Sequence, residues 1–186
     1  GLANLFVDVK HFTQIPTQLG KEVHYNWGSG SAGKGKPADK FTAVFDQTQV
    51  LAGGDYFIQA QADDGVKVEV DGQLPINRWS NSPVLVTNRA LWTSVTPGQH
   101  VIKTHYYEDG GNASVFSDVV PFDSWLAYYY PNKTLSGAPT AAKVIAPVGE
   151  LKKLSEKYGT GSPIAGIKND QFSARYTTAK RIPAGD

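Results

Sequence analysis

Apolar and polar positions alternate with a period of two along much of this chain, which predicts β-strands. The clearest run is Val66–Val70, in which three valines share one face and two charged residues share the other. Asp71 and Gly72 follow directly, and an Asp-Gly pair after an alternating run indicates a two-residue hairpin turn. Residues Gln73–Trp79 are therefore expected to form the returning strand, with Pro75 favouring an edge or bulge position.

Other short segments have the same apolar and β-branched or aromatic character and are separated by Gly, Pro and Asp turn residues. They are Phe41–Phe45, Tyr56–Ala60, Ala90–Val95, His100–Tyr107, Ala113–Phe116 and Trp125–Tyr130. One stretch differs: Glu150–Lys157 has the spacing of an amphipathic helix of about two turns. The pattern as a whole predicts an all-β fold, an antiparallel β-sandwich or barrel.

An internal repeat sets the expected domain organisation. Residues 158–186 align with residues 27–55 at a constant offset of 131, with no gap and with 9 of 29 positions identical. We therefore expect about one and a half units of a tandem array: residues 1–120 as one unit without its opening strand, and residues 121–186 as the truncated opening of a second. Arrays of this kind are typical of adhesion, spacing and binding proteins.

Composition narrows the function classes. The net charge is +1, from 18 basic and 17 acidic residues, and the chain has no dense basic run, so we expect no nucleic-acid partner. The sequence has no apolar run long enough to span a bilayer, and so predicts no membrane span. It contains no Cys, which removes disulfides, thiolate zinc sites and Cys nucleophiles together.

An ordered set of short motifs resembles the PA14 domain family. In the first unit the set comprises Asp55-Tyr-Phe, Ala62-Asp-Asp-Gly-Val-Lys-Val-Glu-Val-Asp-Gly72, Ile76-Asn-Arg-Trp79, Gly98-Gln-His-Val-Ile-Lys, Tyr106-Tyr-Glu108 and Gly111-Asn-Ala113. The second unit adds Tyr129-Tyr130, Gly137-Ala-Pro139, Gly161-Ser-Pro163 and Phe172-Ser-Ala-Arg175. The resemblance implies a β-sandwich or barrel-like module of the kind found in secreted toxins, glycosidases and adhesins.

Asp63 and Asp64 are the candidate metal ligands. In the yeast adhesin branch of the family, sugars bind through calcium, and an adjacent Asp pair joined by a cis peptide directs both carboxylates at one Ca²⁺. Carboxylate oxygens are the hard ligands that Ca²⁺ requires. The alternative is a turn, since Asp-Asp-Gly before a strand satisfies backbone donors and allows a positive φ at Gly65.

Asn112 and Trp79 are the candidate ligand-binding residues. Asn112 lies in a Gly-rich loop and could complete a Ca²⁺ shell if that loop lies beside the Asp pair; otherwise the loop is a simple hairpin turn. Trp79 could stack against a sugar ring, or could belong to the core.

We find no arrangement that argues for catalysis and expect a non-catalytic protein. The expected function is binding, adhesion or spacing in a secreted or cell-surface repeat protein, with a carbohydrate or cell-surface glycan as partner. Two alternatives stay open: a structural subunit of a fibre or surface layer assembled by packing or strand exchange between repeats or copies, and an ancillary domain of a larger cell-wall hydrolase or toxin. Residues 125–186 cannot bury enough apolar surface alone, so we expect them to pack on a β-body of their own chain or of a neighbour.

Overall fold

The computed structural model describes residues 8–82 and 84–184, and within these ranges every regular element is a β-strand. The strands are β1 Thr13–Gln14, β2 Gln18–Leu19, β3 Val23–Gly28, β4 Phe41–Leu51, β5 Gly54–Asp63, β6 Gly65–Val70, β7 Gln73–Arg78, β8 Val86–Val95, β9 Gly98–Glu108, β10 Ala113–Pro121, β11 Trp125–Tyr130, β12 Ala141–Ile145 and β13 Ser173–Thr178. The predicted all-β class is confirmed, and each strand predicted from the sequence overlaps an observed strand.

Two sheets form the main sandwich. Sheet A has the order β1-β4-β9-β6-β7, with β2 also beside β4, and sheet B has the order β3-β10-β5-β8. Alternation along the strands sends one set of side chains into the space between the sheets. This central core includes Phe41, Phe45, Ile58, Val66, Val68, Tyr106 and Val115.

A third sheet covers the outer face of sheet B. Sheet C has the order β12-β11-β13 and is antiparallel throughout. Leu126, Tyr128 and Tyr130 of β11 pack on Phe57 and Phe116 of sheet B. Of the two expected arrangements, packing on a β-body of the same chain is therefore the one observed.

The second face of sheet C forms a smaller core. Alternate β11 residues Ala127 and Tyr129 point to this side and are fully buried. They are covered by the long segment between β12 and β13, which contributes Tyr158, Ile167 and Phe172. One strand thus contributes to two separate apolar cores.

The predicted helix at Glu150–Lys157 is wrong. The segment forms a turn closed by an isolated bridge between Val148 and Lys153, and Lys152 has a positive φ of 53°. Eight residues are too few for a helix to be stable without a packed apolar face, and Leu151 is 74% exposed. The division into units 1–120, without its opening strand, and 121–186 stays a prediction, and residues 1–7 fall outside the described residues. Within the described ranges, no helix has the length and apolar character needed to cross a bilayer.

Candidate functional site

A cleft of about 410 Å³ opens at one end of the sandwich, where the ends of several strands and their loops meet. Its polar lining comes from Asn26 of β3, Asp63 of β5, and Asn112 and Ser114 beside the start of β10. Val84 and Leu85 form an apolar patch in the same cleft, and the loop between β11 and β12 supplies a further wall. Asn26 donates a hydrogen bond to the Ala138 carbonyl of that loop at 3.4 Å, so sheet C helps to shape the cleft.

Three carboxylates meet at the base of this region. Asp63 ends β5, Asp64 follows it, and Glu108 ends β9, with one carboxylate oxygen of each within 4.8 Å of the others. The Asp63–Asp64 peptide bond is cis. Glu108 is fully buried, and its Oε1 atom has no hydrogen-bond partner among the described residues. In residues 8–82 and 84–184, none of the three carboxylates forms an ion pair.

Asp64 holds the surrounding loops together. Its Oδ2 atom accepts a hydrogen bond from the Asp109 amide at 2.9 Å, and its Oδ1 atom accepts one from the Ser82 amide at 3.4 Å. Only 4% of its surface is exposed. The side chain that faces the cleft is Asp63, while Asp64 fixes the loops around it.

Burial and mutual repulsion disfavour ionisation of two of these groups. Burial, followed by the charge of Asp64, raises the pKa of Asp63 to about 6. Burial and the charges of Asp64 and Asp63 raise the pKa of Glu108 to about 9. A bound cation would remove this repulsion, because it favours the charged form of every carboxylate around it.

Close packing between the backbone of Gly65 and the side chain of Tyr107 supports the site. Gly65 lies against the ring of Tyr107, and a Cβ at this position would come within 2.6 Å of Cδ1 and 2.9 Å of Cζ. The Tyr107 hydroxyl donates to Asn81 Oδ1 at 2.8 Å, and the Asn81 amide donates to Asp109 Oδ2 at 2.7 Å. Asp109 also pairs with Lys40. The loop after β9 is therefore tied to the loop after β7.

The structure brings some of the expected residues together. Asn112 and Asp63 line the same cleft, while Trp79 is not among the lining residues. Trp79 packs edge-on against Tyr107 with ring centroids 4.7 Å apart, and Lys67 Nζ lies 4.6 Å from the centroid of its ring. The partly buried Trp79 ring thus supports the site indirectly, by packing against Tyr107.

Sequence reasoning missed Glu108. Glu108 lies in the family-like motif Tyr106-Tyr-Glu108, and the period of two places its side chain on the same face of β9 as the buried Tyr106. The signal that could have identified Glu108 was an acidic residue on the inward face of its strand, in a chain that also carries the acidic pair Asp63-Asp64. Asn26 and the loop between β11 and β12 could not have been found in this way, because they reach the cleft only through the packing of sheets B and C.

The fold and this polar cleft, formed by loops at one end of a sandwich, define a β-sandwich binding module. A family model described as "PA14 domain" matches residues 7–134, and the chain belongs to the PA14 domain family. The match extends past sheet B and includes β11. No protein of curated function matches the sequence significantly.

Two solved structures are similar to this chain over part of their length. One is an "anti-sigma factor domain-containing protein", with 18% identity and a TM-score of 0.47, covering 83% of this chain and 59% of that chain. The other, an anti-sigma factor domain-containing protein from Clostridium clariflavum, has 19% identity and a TM-score of 0.45, covering 83% and 60%. This chain therefore spans about three fifths of the length of these structures.

Proposed function

We propose that the chain is a non-catalytic binding or adhesion module that holds Ca²⁺ between Asp63, Asp64 and Glu108 and uses it to bind a carbohydrate. The observation that carries this proposal is the buried, unpartnered Oε1 atom of Glu108 beside two further carboxylates. An unsatisfied buried acceptor is costly, by about 1–3 kcal/mol, and a cation in this position would supply its missing partner.

The donor set suits calcium. Ca²⁺ takes six to eight oxygen ligands at about 2.3–2.6 Å from carboxylates, amide carbonyls and water. Asp63 and Glu108 would supply charged oxygens, and the Asn112 side chain in the same cleft could add a neutral one. The remaining positions would face the cleft, where two sugar hydroxyls could replace water while the apolar face of the sugar rests on Val84 and Leu85.

The proposal is tested by calcium titration of the purified chain, followed by calorimetry and thermal unfolding. A site of the extracellular type has a Kd of about 0.1–1 mM, and Ca²⁺ at a hundred times Kd stabilises a fold by about 2.7 kcal/mol. We expect Asp63→Asn and Glu108→Gln to lose this stabilisation. The exposed Glu156→Gln serves as the matched control and should keep it.

Glycan binding is measured separately, on an array with Ca²⁺ and again with a chelator. Binding that disappears with the chelator and in Asp63→Asn supports the proposal. If Ca²⁺ at a hundred times the expected Kd, up to about 100 mM, leaves the unfolding temperature of the parent chain unchanged, the cluster is a set of buried carboxyl groups that holds loops together, and the calcium proposal is wrong.

We further propose that the chain belongs to a secreted or cell-surface protein with about one and a half PA14-like units in this stretch. The support is the constant offset of 131 between residues 27–55 and 158–186. A fibre or surface-layer subunit is the second candidate, favoured by the open edge of β13 at the end of sheet C. An ancillary role beside a hydrolase or toxin domain is tested by sequencing the whole gene.

A further inference from the structure

Residues 158–178 repeat much of the local geometry of residues 27–47. Gly28 and Gly159 both have φ 59°, and Lys40 and Gln171 have φ 55° and 59°. The Gly30 amide donates to the Trp27 carbonyl at 3.1 Å, and the Gly161 amide donates to the Tyr158 carbonyl at 3.0 Å. Each of these pairs is separated by the offset of 131 found in the sequence.

The apolar contacts inside the two copies also correspond. Trp27 and Phe41 meet edge-to-face with ring centroids 5.9 Å apart at 79°, and Tyr158 and Phe172 meet at 5.9 Å and 72°. In the first copy, Tyr106 of β9 completes this cluster, with its ring 6.0 Å from Trp27 and 5.9 Å from Phe41. No strand of the described residues occupies the equivalent place in the second copy.

Backbone direction shows which side of β13 is open. The Tyr129 carbonyl accepts from the Thr140 amide, so the polar backbone groups of Tyr129 face β12. Its partner on the other side is Ala174. Residues opposite each other in an antiparallel pair either bond to each other or both face away. The N–H and C=O of Ala174, and by alternation those of Tyr176 and Thr178, therefore face away from β11.

The open edge is the one that β9 occupies in the first copy. Ala174 and Tyr176 are equivalent to Ala43 and Phe45 of β4 by the offset of 131. The carbonyls of Lys40 and Thr42 accept from the Thr13 and Ile15 amides on one side of β4, so those of Ala43 and Phe45 face β9. Outside the β11 ladder, the backbone groups of Ala174, Tyr176 and Thr178 have no hydrogen-bond partner in residues 8–82 and 84–184.

A cavity marks the position of the next loop. It measures about 630 Å³ and is lined by Pro131 and by residues of the 166–172 loop, including Asp170 and Gln171. The equivalent residues of the first copy are in contact with the loop after β9. Asp39 Oδ1 accepts from the Gly111 amide at 3.2 Å, and Lys40 pairs with Asp109.

We propose that the edge of β13 and the cavity beside it are a docking site for one occupant, the β-body of a further PA14-like domain. A strand of the β9 type would pair with Ala174, Tyr176 and Thr178, and its aromatic residue would pack on Tyr158 and Phe172. The glycine-rich turn after that strand would fill the cavity, with one of its amides donating to Asp170. This inference does not depend on calcium binding.

The test compares the chain with a chimera in which residues 1–178 are followed by a second copy of residues 48–121. Backbone amide hydrogen exchange is measured by NMR in both, because it reports protection residue by residue. In the dilute parent chain, the amides of Ala174, Tyr176 and Thr178 should exchange fast, while those of Arg175 and Thr177 are protected. In the chimera the first three should slow by at least about 100-fold.

Asp170→Ala provides the matched variant. It should lower the unfolding temperature of the chimera and leave that of the parent chain unchanged. The proposal is overturned if the three edge amides of the chimera stay unprotected, or if they are already protected in the dilute parent chain. Protection that grows with the concentration of the parent chain would show that a second copy pairs along β13, and would equally overturn it.

Discussion

Gly65→Ala is the sharpest test of how the site is supported. A Cβ on Gly65 would lie 2.6 Å from Tyr107 Cδ1, whereas non-bonded carbons prefer about 3.5–4.0 Å. Cε1 of the ring would lie closer still, so the ring must move by more than about 1 Å, yet Tyr107 is fully buried. Overpacking of this kind costs about 1–3 kcal/mol. Displacing the Tyr107 hydroxyl from Asn81 adds about 1 kcal/mol.

The smaller entropy of Ala in the unfolded state stabilises by about 0.4–1 kcal/mol, so the expected net loss in the free energy of unfolding is about 1–3.5 kcal/mol. The assay is urea unfolding at equilibrium, with the midpoint lowered and the m-value unchanged. Gly110→Ala is the matched control, because a Cβ there meets nothing within 4 Å and its φ lies outside the left-handed region. That variant should stay within about 0.5 kcal/mol of the parent chain.

A second substitution separates steric conflict from other causes. Tyr107→Leu makes room beside residue 65, so the double variant should be destabilised by less than the two single changes added together. If Gly65→Ala unfolds at the same urea concentration as the parent chain, the ring of Tyr107 is not fixed against the backbone and the reasoning fails. Calcium binding, where present, should weaken in Gly65→Ala and not in Gly110→Ala.

Two further predictions concern polar groups inside the fold. Burial lowers the pKa of His24, but its hydrogen bond to Asp118 and the charges of Asp118 and Glu22 outweigh this and leave the pKa raised. The ion pair therefore stabilises the folded protein at pH values below the ordinary pKa of His, and this stabilisation is lost as pH rises through the raised pKa. Asp118→Asn should lower the free energy of unfolding by about 2 kcal/mol near pH 5 and by about 1 kcal/mol near pH 8.5. Equal losses in unfolding titrations at both pH values would contradict the ion pair. The Thr104 hydroxyl donates to Ser117 Oγ at 2.9 Å between sheets A and B, so Thr104→Val should cost about 1–3 kcal/mol by leaving Ser117 unsatisfied. Adding Ser117→Ala should recover most of that loss in thermal unfolding, and a double variant less stable than the single one would refute the explanation.

Local patterns were enough to predict β4 to β11, whereas β1, β2, β3, β12 and β13 were not predicted. Alternation placed β6, and the Asp71-Gly72 pair placed its return as β7, because both depend only on neighbouring residues. The apolar spacing of Glu150–Lys157 misled for the same reason. The spacing indicated a local helical preference. A short segment between Pro147 and Gly159 cannot form a stable helix unless its apolar face packs against another element.

The candidate site was only partly predictable. Asp63, Asp64 and Asn112 came from motifs that resemble the family, and two of them line one cleft. Glu108 needed a face assignment on β9, which alternation allowed. The contact from Asn26 to Ala138 spans 112 positions along the chain and depends on how sheet C packs, so no local pattern contained it.

The alternation of side chains along β11 has a mechanical consequence. Tyr128 and Tyr130 are anchored in the packing against sheet B, while Tyr129, between them, is anchored in the core on the opposite face. The two cores are therefore joined directly by a shared strand. A flexible linker, in contrast, would let two domains rotate relative to each other. Tension along the polypeptide would load both cores at once, and a twist imposed on one would be transmitted to the other. The joint behaves as a rigid coupling, which fixes both the distance and the angle between whatever lies on its two sides.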